Sequence, residues 1–189
     1  GALTDVGAVQ GADAVLITHE HFDHLDEGNL RAAVASNGGL KIWTNGAVSA
    51  KLGGLGVAVR VVGDGDAFTA AGFDVSVHGE HHAVIHPEIP IVGNIGFLID
   101  GDLLHPGDAL TDPGVPVAHL MLPTHAPWMK LSETIDYARS IAPRRAYSLH
   151  DGLLNDAGRG LYEGQIARIG EFYGTTRFQH LDAGQSVTL

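Results

Sequence analysis

The chain has 189 residues, 44% hydrophobic and 17% charged, a length and balance that suit one globular domain with a real core. Its formal net charge of −11 argues against general attraction to nucleic acid or anionic membranes, and the absence of cysteine excludes disulfides, thiolate metal sites, iron–sulfur clusters and a cysteine nucleophile. No apolar run is long enough to span a membrane and no basic-then-apolar leader opens the chain, which starts at Gly1, so the expected location is the cytoplasm.

Residues 1–12 read as a loop or a short helical turn. The apolar run Ala14-Val15-Leu16-Ile17, with Thr18, reads as a buried strand. Residues 27–37 carry Leu30, Ala33 and Val34 at helical spacing before the stop Asn37-Gly38-Gly39. Residues 41–44 form a short strand, Asn45 caps a helix to Leu52, and the β-branched run 57–62 is a strand. A hairpin turning at Ala71-Gly72 joins 67–70 to 73–77, and another turning at Asp100-Gly101 joins 95–99 to 103–105. Residues 117–122 are a strand, Ser132 caps a helix that stops at Ile141 before Pro143, and 145–149 is a strand. A last helix covers 160–173, with short strands at 177–180 and 186–188. Hairpins combined with strand–helix alternation predict an α/β domain over 1–189, with mixed sheets flanked by helices and no linker or repeat.

The chemistry gathers at strand ends. His19-Glu20-His21-Phe22-Asp23-His24 follows the first strand directly. In extended backbone His19, His21 and Asp23 share a side, and a following turn brings His24 round beside them. Imidazole and carboxylate together suit zinc or a similar divalent metal. Later strand ends carry His78, Asp108 and His150. Together these groups suffice for two ions, three imidazoles on one and an aspartate with two imidazoles on the other, and paired ions can clamp the attacking and departing oxygens of one reaction.

His78 is the expected ligand of its segment because it ends a strand and precedes a glycine; His81 and His82 are its rivals. His82 and His86 are otherwise expected in the pocket or behind the ligands, and Asp26 is expected to orient a ligand imidazole through its second nitrogen. His125, in Pro123-Thr124-His125-Ala126-Pro127-Trp128, is expected at the same rim, hydrogen-bonding substrate or protonating a leaving group, with Trp128 as an apolar wall. Glu20 faces away by alternation, and His119 and His180 read as structural. No Gly-x-Ser-x-Gly elbow, Walker loop or dinucleotide-binding turn occurs.

The run His19 to His24 carries in full the His-x-His-x-Asp-His signature of the metallo-β-lactamase-fold hydrolases, which the chain resembles from Ala12 to its C-terminus. Leu103-Leu104-His105-Pro106-Gly107-Asp108 looks like that family's strand-Gly-Asp segment, and Ala146-Tyr147-Ser148-Leu149-His150 looks like its closing strand and histidine. The resemblance implies a four-layer αββα sandwich of two mixed β-sheets flanked by helices. It implies a first metal on His19, His21 and His78, a second on Asp23, His24 and His150, and Asp108 as the bridge. Asp23 and His125 are the implied catalytic residues. Two divalent ions are implied, Zn2+ first, with Mn2+ or Fe open to the same donor set.

The wording around His78 and Asp108 is most similar to the branch that includes ascorbate-phosphate lactonase-like proteins. Family members open with a β-hairpin ahead of the segment seen here, so either Gly1 follows a cut or omitted segment or the fold lacks those strands, and in the second case a bare sheet edge would favour a homo-oligomer. The implied reaction is attack by a metal-bridging hydroxide on a small ester, lactone or phosphoester. An anionic substrate is expected, because the centre would be a small positive focus on an acidic chain. The alternatives are a nuclease of the same fold, disfavoured by only eleven Lys and Arg, and a non-catalytic metal-binding protein. No membrane partner is expected.

Overall fold

The computed structural model describes residues 1–174 and 176–189. After a single 3-10 turn at Val6–Val9, β1 (Ala14–Ile17) sorts its apolar side chains to two faces, as strand alternation requires. Val15 and Ile17 pack outward with Leu30, Val48 and Leu52, whereas Ala14 and Leu16 turn inward. β1 pairs in parallel with β2 (Lys41–Thr44), and β2 in parallel with β3 (Val59–Val61), giving a three-stranded sheet. Its outer face carries α1 (Glu27–Ser36) and α2 (Gly46–Lys51). Both helices begin at side-chain caps: the Asp26 carboxylate accepts from the Asn29 N–H, and the Asn45 carboxamide oxygen accepts from the Val48 N–H.

The second sheet has seven strands in the order β10-β9-β8-β7-β6-β5-β4. β4 (Ala67–Ala70), β5 (Phe73–His78), β6 (Gly96–Ile99) and β7 (Leu103–His105) run antiparallel to their neighbours. β7, β8 (His119–Pro123), β9 (Arg145–Leu149) and β10 (Arg177–Gln179) run parallel. At the β6–β7 turn Asp100 and Gly101 both have positive φ, 51° and 66°, the hand that matches the twist of a hairpin. α3 (Leu131–Ile141) and α4 (Asp156–Tyr173) cover the outer face, burying Tyr137, Ala138 and Ile166 against Leu104, Leu120 and Leu122.

β6 shows how the layers are cut: Leu98 joins the helix-side core, and its neighbour Phe97 joins the core between the sheets. There Leu16 and Trp43 of the smaller sheet meet Phe68, Val75 and Val77 of the larger, with the Trp43 and Phe68 rings stacked 5.1 Å apart. Each fully buried side chain of this kind contributes about 1.5–3 kcal/mol. The layers are therefore helix, sheet, sheet, helix.

Several boundaries differ from expectation. Only the larger sheet is mixed; the smaller is parallel throughout among the described residues. β3 begins at Val59 because residues 56–58 form a 3-10 turn in which Gly56 takes a positive φ. α3 starts one residue ahead of Ser132, with the Glu133 carboxylate accepting the Lys130 N–H, and α4 starts at Asp156 because Asn155 caps it. Residues 186–188 join no ladder. Among the described residues no helix is long and apolar enough to cross a membrane.

Candidate metal centre

Three backbone devices assemble the site at one edge of the sandwich. Where β1 ends, the Thr18 carbonyl accepts from the Ile95 N–H (3.0 Å) and from the Asn45 amide (3.2 Å), fixing the chain as it leaves the smaller sheet. The His21 carbonyl then accepts from the N–H groups of His24 and Leu25, at 3.0 and 2.8 Å, closing the turn that returns His24 to His19. Their rings lie 4.0 Å apart, and His19 Nε2 is 3.1 Å from His21 Nδ1.

The second device holds Asp108. The fully buried Asn94 donates to the Pro106 carbonyl (2.9 Å) and accepts from the Asp108 N–H (3.0 Å), clasping the turn after β7. Gly107, at φ +66°, is tightly enclosed there: a β-carbon would come within 2.8 Å of Thr18 Cβ and closer still to Asn94. The third device is His150 itself, which leaves β9 with φ +61°, a left-handed conformation that costs a non-glycine residue about 1–3 kcal/mol.

Carbonyl oxygens set the imidazole orientations. His82 Nδ1 lies 2.6 Å from the Ala83 carbonyl and His150 Nδ1 2.8 Å from the His125 carbonyl. A carbonyl only accepts, so both Nδ1 atoms carry the proton and each Nε2 is turned toward Asp108. His19 Nδ1 is held by the Thr18 hydroxyl at 3.0 Å.

Asp108, 2% exposed, sits at the middle. Its Oδ1 is 3.2 Å from His24 Nε2. Its Oδ2 is 3.2 Å from His150 Nε2, 3.4 Å from His82 Nε2 and 4.0 Å from His19 Nε2, and accepts from Trp128 Nε1 at 3.1 Å. Asp23 Oδ2 stands 3.3 Å from His150 Nε2 and 3.8 Å from His24 Nε2. The ligand atoms form three overlapping groups, His19/His21/His82, His19/His24/Asp108 and Asp23/His24/His150, each within 4.8 Å.

The electrostatics are those of crowded donors. Burial, reinforced by His24, pushes the His19 imidazole down to about 2, and burial likewise lowers His21. Burial alone would raise Asp108, but hydrogen bonds from His150, His24 and His82 hold it well below the usual carboxylate range. Burial would lower His150, yet its bond to Asp108 and that carboxylate's charge outweigh it and push the ring up to about 9. His82 is raised in the same way, its hydrogen bonds to Asp108 and the Ala83 carbonyl outweighing burial. Asp108 Oδ1 is buried and faces His24 Nε2, while Oδ2 takes the closer crowding of His150, His82 and Trp128. Imidazole nitrogens converging on a buried carboxylate fit divalent metal binding.

His19, His21, Asp23, His24, Asp108 and His150 are thus brought together as the sequence led one to expect. His78 is not, and His82 stands where it was expected. Alternation within β5 explains the correction: Val75 and Val77 face the smaller sheet, so His78 faces the other way with Ser76, whose hydroxyl lies 2.9 Å from its Nε2. His86 is exposed and its Nδ1 accepts from the Glu88 N–H. Asp26 is spent on capping α1 and bonds no ligand imidazole.

His125 contributes its carbonyl to the site, but its ring packs edge-on against Tyr162 at 5.1 Å and does not line the cavity before the cluster. Trp128 does line it. Asn94 and Thr18, which hold the ligands in place, carry no sequence pattern that marks them. His180 is less bland than expected: its Nδ1 is 2.9 Å from Glu163 and 3.2 Å from Asp151, tying the C-terminal segment to α4 and the loop after β9. Ser148 on β9 donates to the same Glu163 carboxylate.

A cavity of about 650 Å³ opens onto the cluster. With that geometry in view, the relatives are informative. The model of a family described as the β-lactamase superfamily domain matches residues 4–150. Protein Rv0786c of Mycobacterium tuberculosis is 40% identical over 186 residues, covering 95% of this chain and 84% of that protein. A candidate metal-dependent hydrolase from Parabacteroides distasonis is similar with a TM-score of 0.71 and 24% identity, over 95% of this chain and 81% of that one. An isothiocyanate hydrolase from Delia radicum gut bacteria is similar with a TM-score of 0.66 and 16% identity, over 99% of this chain and 80% of that one.

Proposed function

The chain belongs to the β-lactamase superfamily, and on that premise we propose that it is a hydrolase of small-molecule esters, lactones or phosphoesters that uses two divalent ions. His19, His21 and His82 would hold one ion, and Asp23, His24 and His150 the other. Asp108 lies between the two sets, and its position carries the proposal: one oxygen faces His24 and the other faces His82 and His150.

Bound there, divalent ions lower the pKa of a water and polarise the carbonyl or phosphoryl oxygen of a substrate. The chain's own contribution is orientation and charge. The Ala83 and His125 carbonyls lock the tautomers of His82 and His150, so the ligand nitrogens need no reorganisation. The Trp128 N–H takes one lone pair of Asp108 Oδ2, which limits how that carboxylate can rotate. Nitrogen and oxygen donors without thiolate support Zn2+ first, with Mn2+ and Fe next. The similar protein named as an isothiocyanate hydrolase supports hydrolytic chemistry on this scaffold.

Elemental analysis of protein reconstituted with Zn2+, Mn2+ or Fe(II) tests the core of the proposal. Two equivalents are expected, with chelator-sensitive turnover across a panel of esters, lactones and phosphodiesters. Less than one equivalent after reconstitution would sink the two-ion reading. Asp108→Ala should empty at least one position, and unchanged metal content would show that Asp108 does not bridge.

A further inference from the structure

We propose that the substrate is an uncharged ester or lactone with an apolar tail, held by the walls of the cavity, and not an anionic one; the proposal rests on the hydrolase reading above. The cavity before the cluster is walled by Phe22, Ile85, Pro127, Trp128, Leu149 and Leu153, contributed by separate loops and the end of β9. Two of these are left open to solvent in a way that a bound tail would cover: Phe22 is 66% exposed and Leu153 61%. Large apolar side chains grouped at the mouth of a cavity with convergent polar groups mark a ligand wall.

The charges point the same way. No lysine or arginine side chain is among the described residues that line the cavity, and the carboxylate there that lies outside the proposed ligand set is that of Asp151. An anionic group on the substrate's tail would face Asp151 and apolar surface, losing its hydration without a lysine or arginine side chain in exchange. The small positive charge expected of the centre lies at the floor, where the reacting carbonyl belongs, and does nothing for a charge carried farther out.

In the reaction, water oxygen bonds to the acyl carbon, the acyl C–O bond breaks, and the departing alkoxide takes a proton from that water, giving a carboxylic acid and an alcohol from an ester or one hydroxy acid from a lactone.

The test uses the zinc-loaded full chain. Calorimetric titration should show octanamide binding at least about tenfold more tightly than acetamide, a preference that the Phe22→Ser/Leu153→Ser variant loses while keeping its zinc. In turnover, p-nitrophenyl butyrate should exceed the equally long p-nitrophenyl hemisuccinate by about tenfold or more in kcat/KM, and Ile85→Lys should narrow the gap. Equal or reversed preference between the two esters would overturn the proposal, as would octanamide binding no better than acetamide. A chain that is dimeric in the assay and shows neither preference would assign Phe22 and Leu153 to a subunit contact, also overturning it. If octanamide binds as expected but no ester, lactone or phosphodiester is turned over, the hydrolase reading fails and the apolar wall stands.

Discussion

Replacing His82 and His78 in turn separates the observed centre from the expected one. His82 Nε2 is 3.4 Å from Asp108 Oδ2, and its ring lies 5.0 Å from that of His19 and 4.7 Å from that of His21. It is thus one of three imidazoles in its half of the site. Binding of zinc to a four-ligand site is worth about 10–16 kcal/mol, so one ligand accounts for roughly 3 kcal/mol. His82→Ala should therefore weaken one of the two equivalents by about 100-fold. His78→Ala removes only the contact with Ser76, at a cost of about 1 kcal/mol in stability, and should leave both affinities unchanged. Competition against a chromophoric chelator resolves the two equivalents and reads both variants on one scale. Loss of an equivalent from His78→Ala, with His82→Ala retaining both, would refute the reasoning from β5 alternation.

Gly107→Ala should cost about 2–4 kcal/mol, since the new methyl meets Thr18 and Asn94 and the backbone is left-handed; a urea midpoint within experimental error of the parent would contradict the clasp. Asp26→Ala should lose about 1 kcal/mol from the α1 cap and keep its full metal content, so a drop in stoichiometry would restore Asp26 to the site. For the metal-free protein, the raised His150 pKa means that its folded state holds a proton more tightly than the unfolded chain. That stabilisation is complete below about pH 6.5 and is lost as pH rises through about 9. Thermal melts of the metal-free protein should fall across this window, and zinc binding at neutral pH should release protons, seen as heats that vary with buffer ionisation enthalpy. Buffer-independent heats would show that His150 is already neutral.

Local signals sufficed where a ligand's position follows from the chain beside it. The run from His19 to His24 needs only a strand end and a tight turn, and both are written in Ala14 to Asp26. Asp108 and His150 follow short strands, Leu103–His105 and Arg145–Leu149, that the sequence also marks. The strand-end signal favours His78 over His82 and misleads, because the choice depends on which face of β5 meets the other sheet. That is a tertiary fact, decided by Val75 and Val77 packing against Leu16 and Trp43. The expected lactonase-like branch leaned in part on His78 and loses that support. Asp26 shows the complementary error: Asp at a helix start serves the helix first, and the Asn29 N–H claims the carboxylate. Its strand brings the His125 carbonyl to His150, but the direction of the His125 ring depends on Tyr162 of α4, far along the chain.

The ligands come from both sheets: His19 to His24 leave the smaller one, while His82, Asp108 and His150 belong to the larger. Bound metal would therefore act as a rivet through two plates already joined by the apolar seam of Leu16, Trp43, Phe68 and Phe97 and by the Thr18–Ile95 backbone bond. Seating of the plates and occupancy of the rivet hole are then two readings of one equilibrium, because whatever binds only the aligned arrangement stabilises it. A change made in the seam, such as at Trp43, becomes measurable as metal affinity at an edge it never touches. Filling the centre should in turn slow hydrogen exchange along β2 and β5, strands that supply the ions no ligand at all.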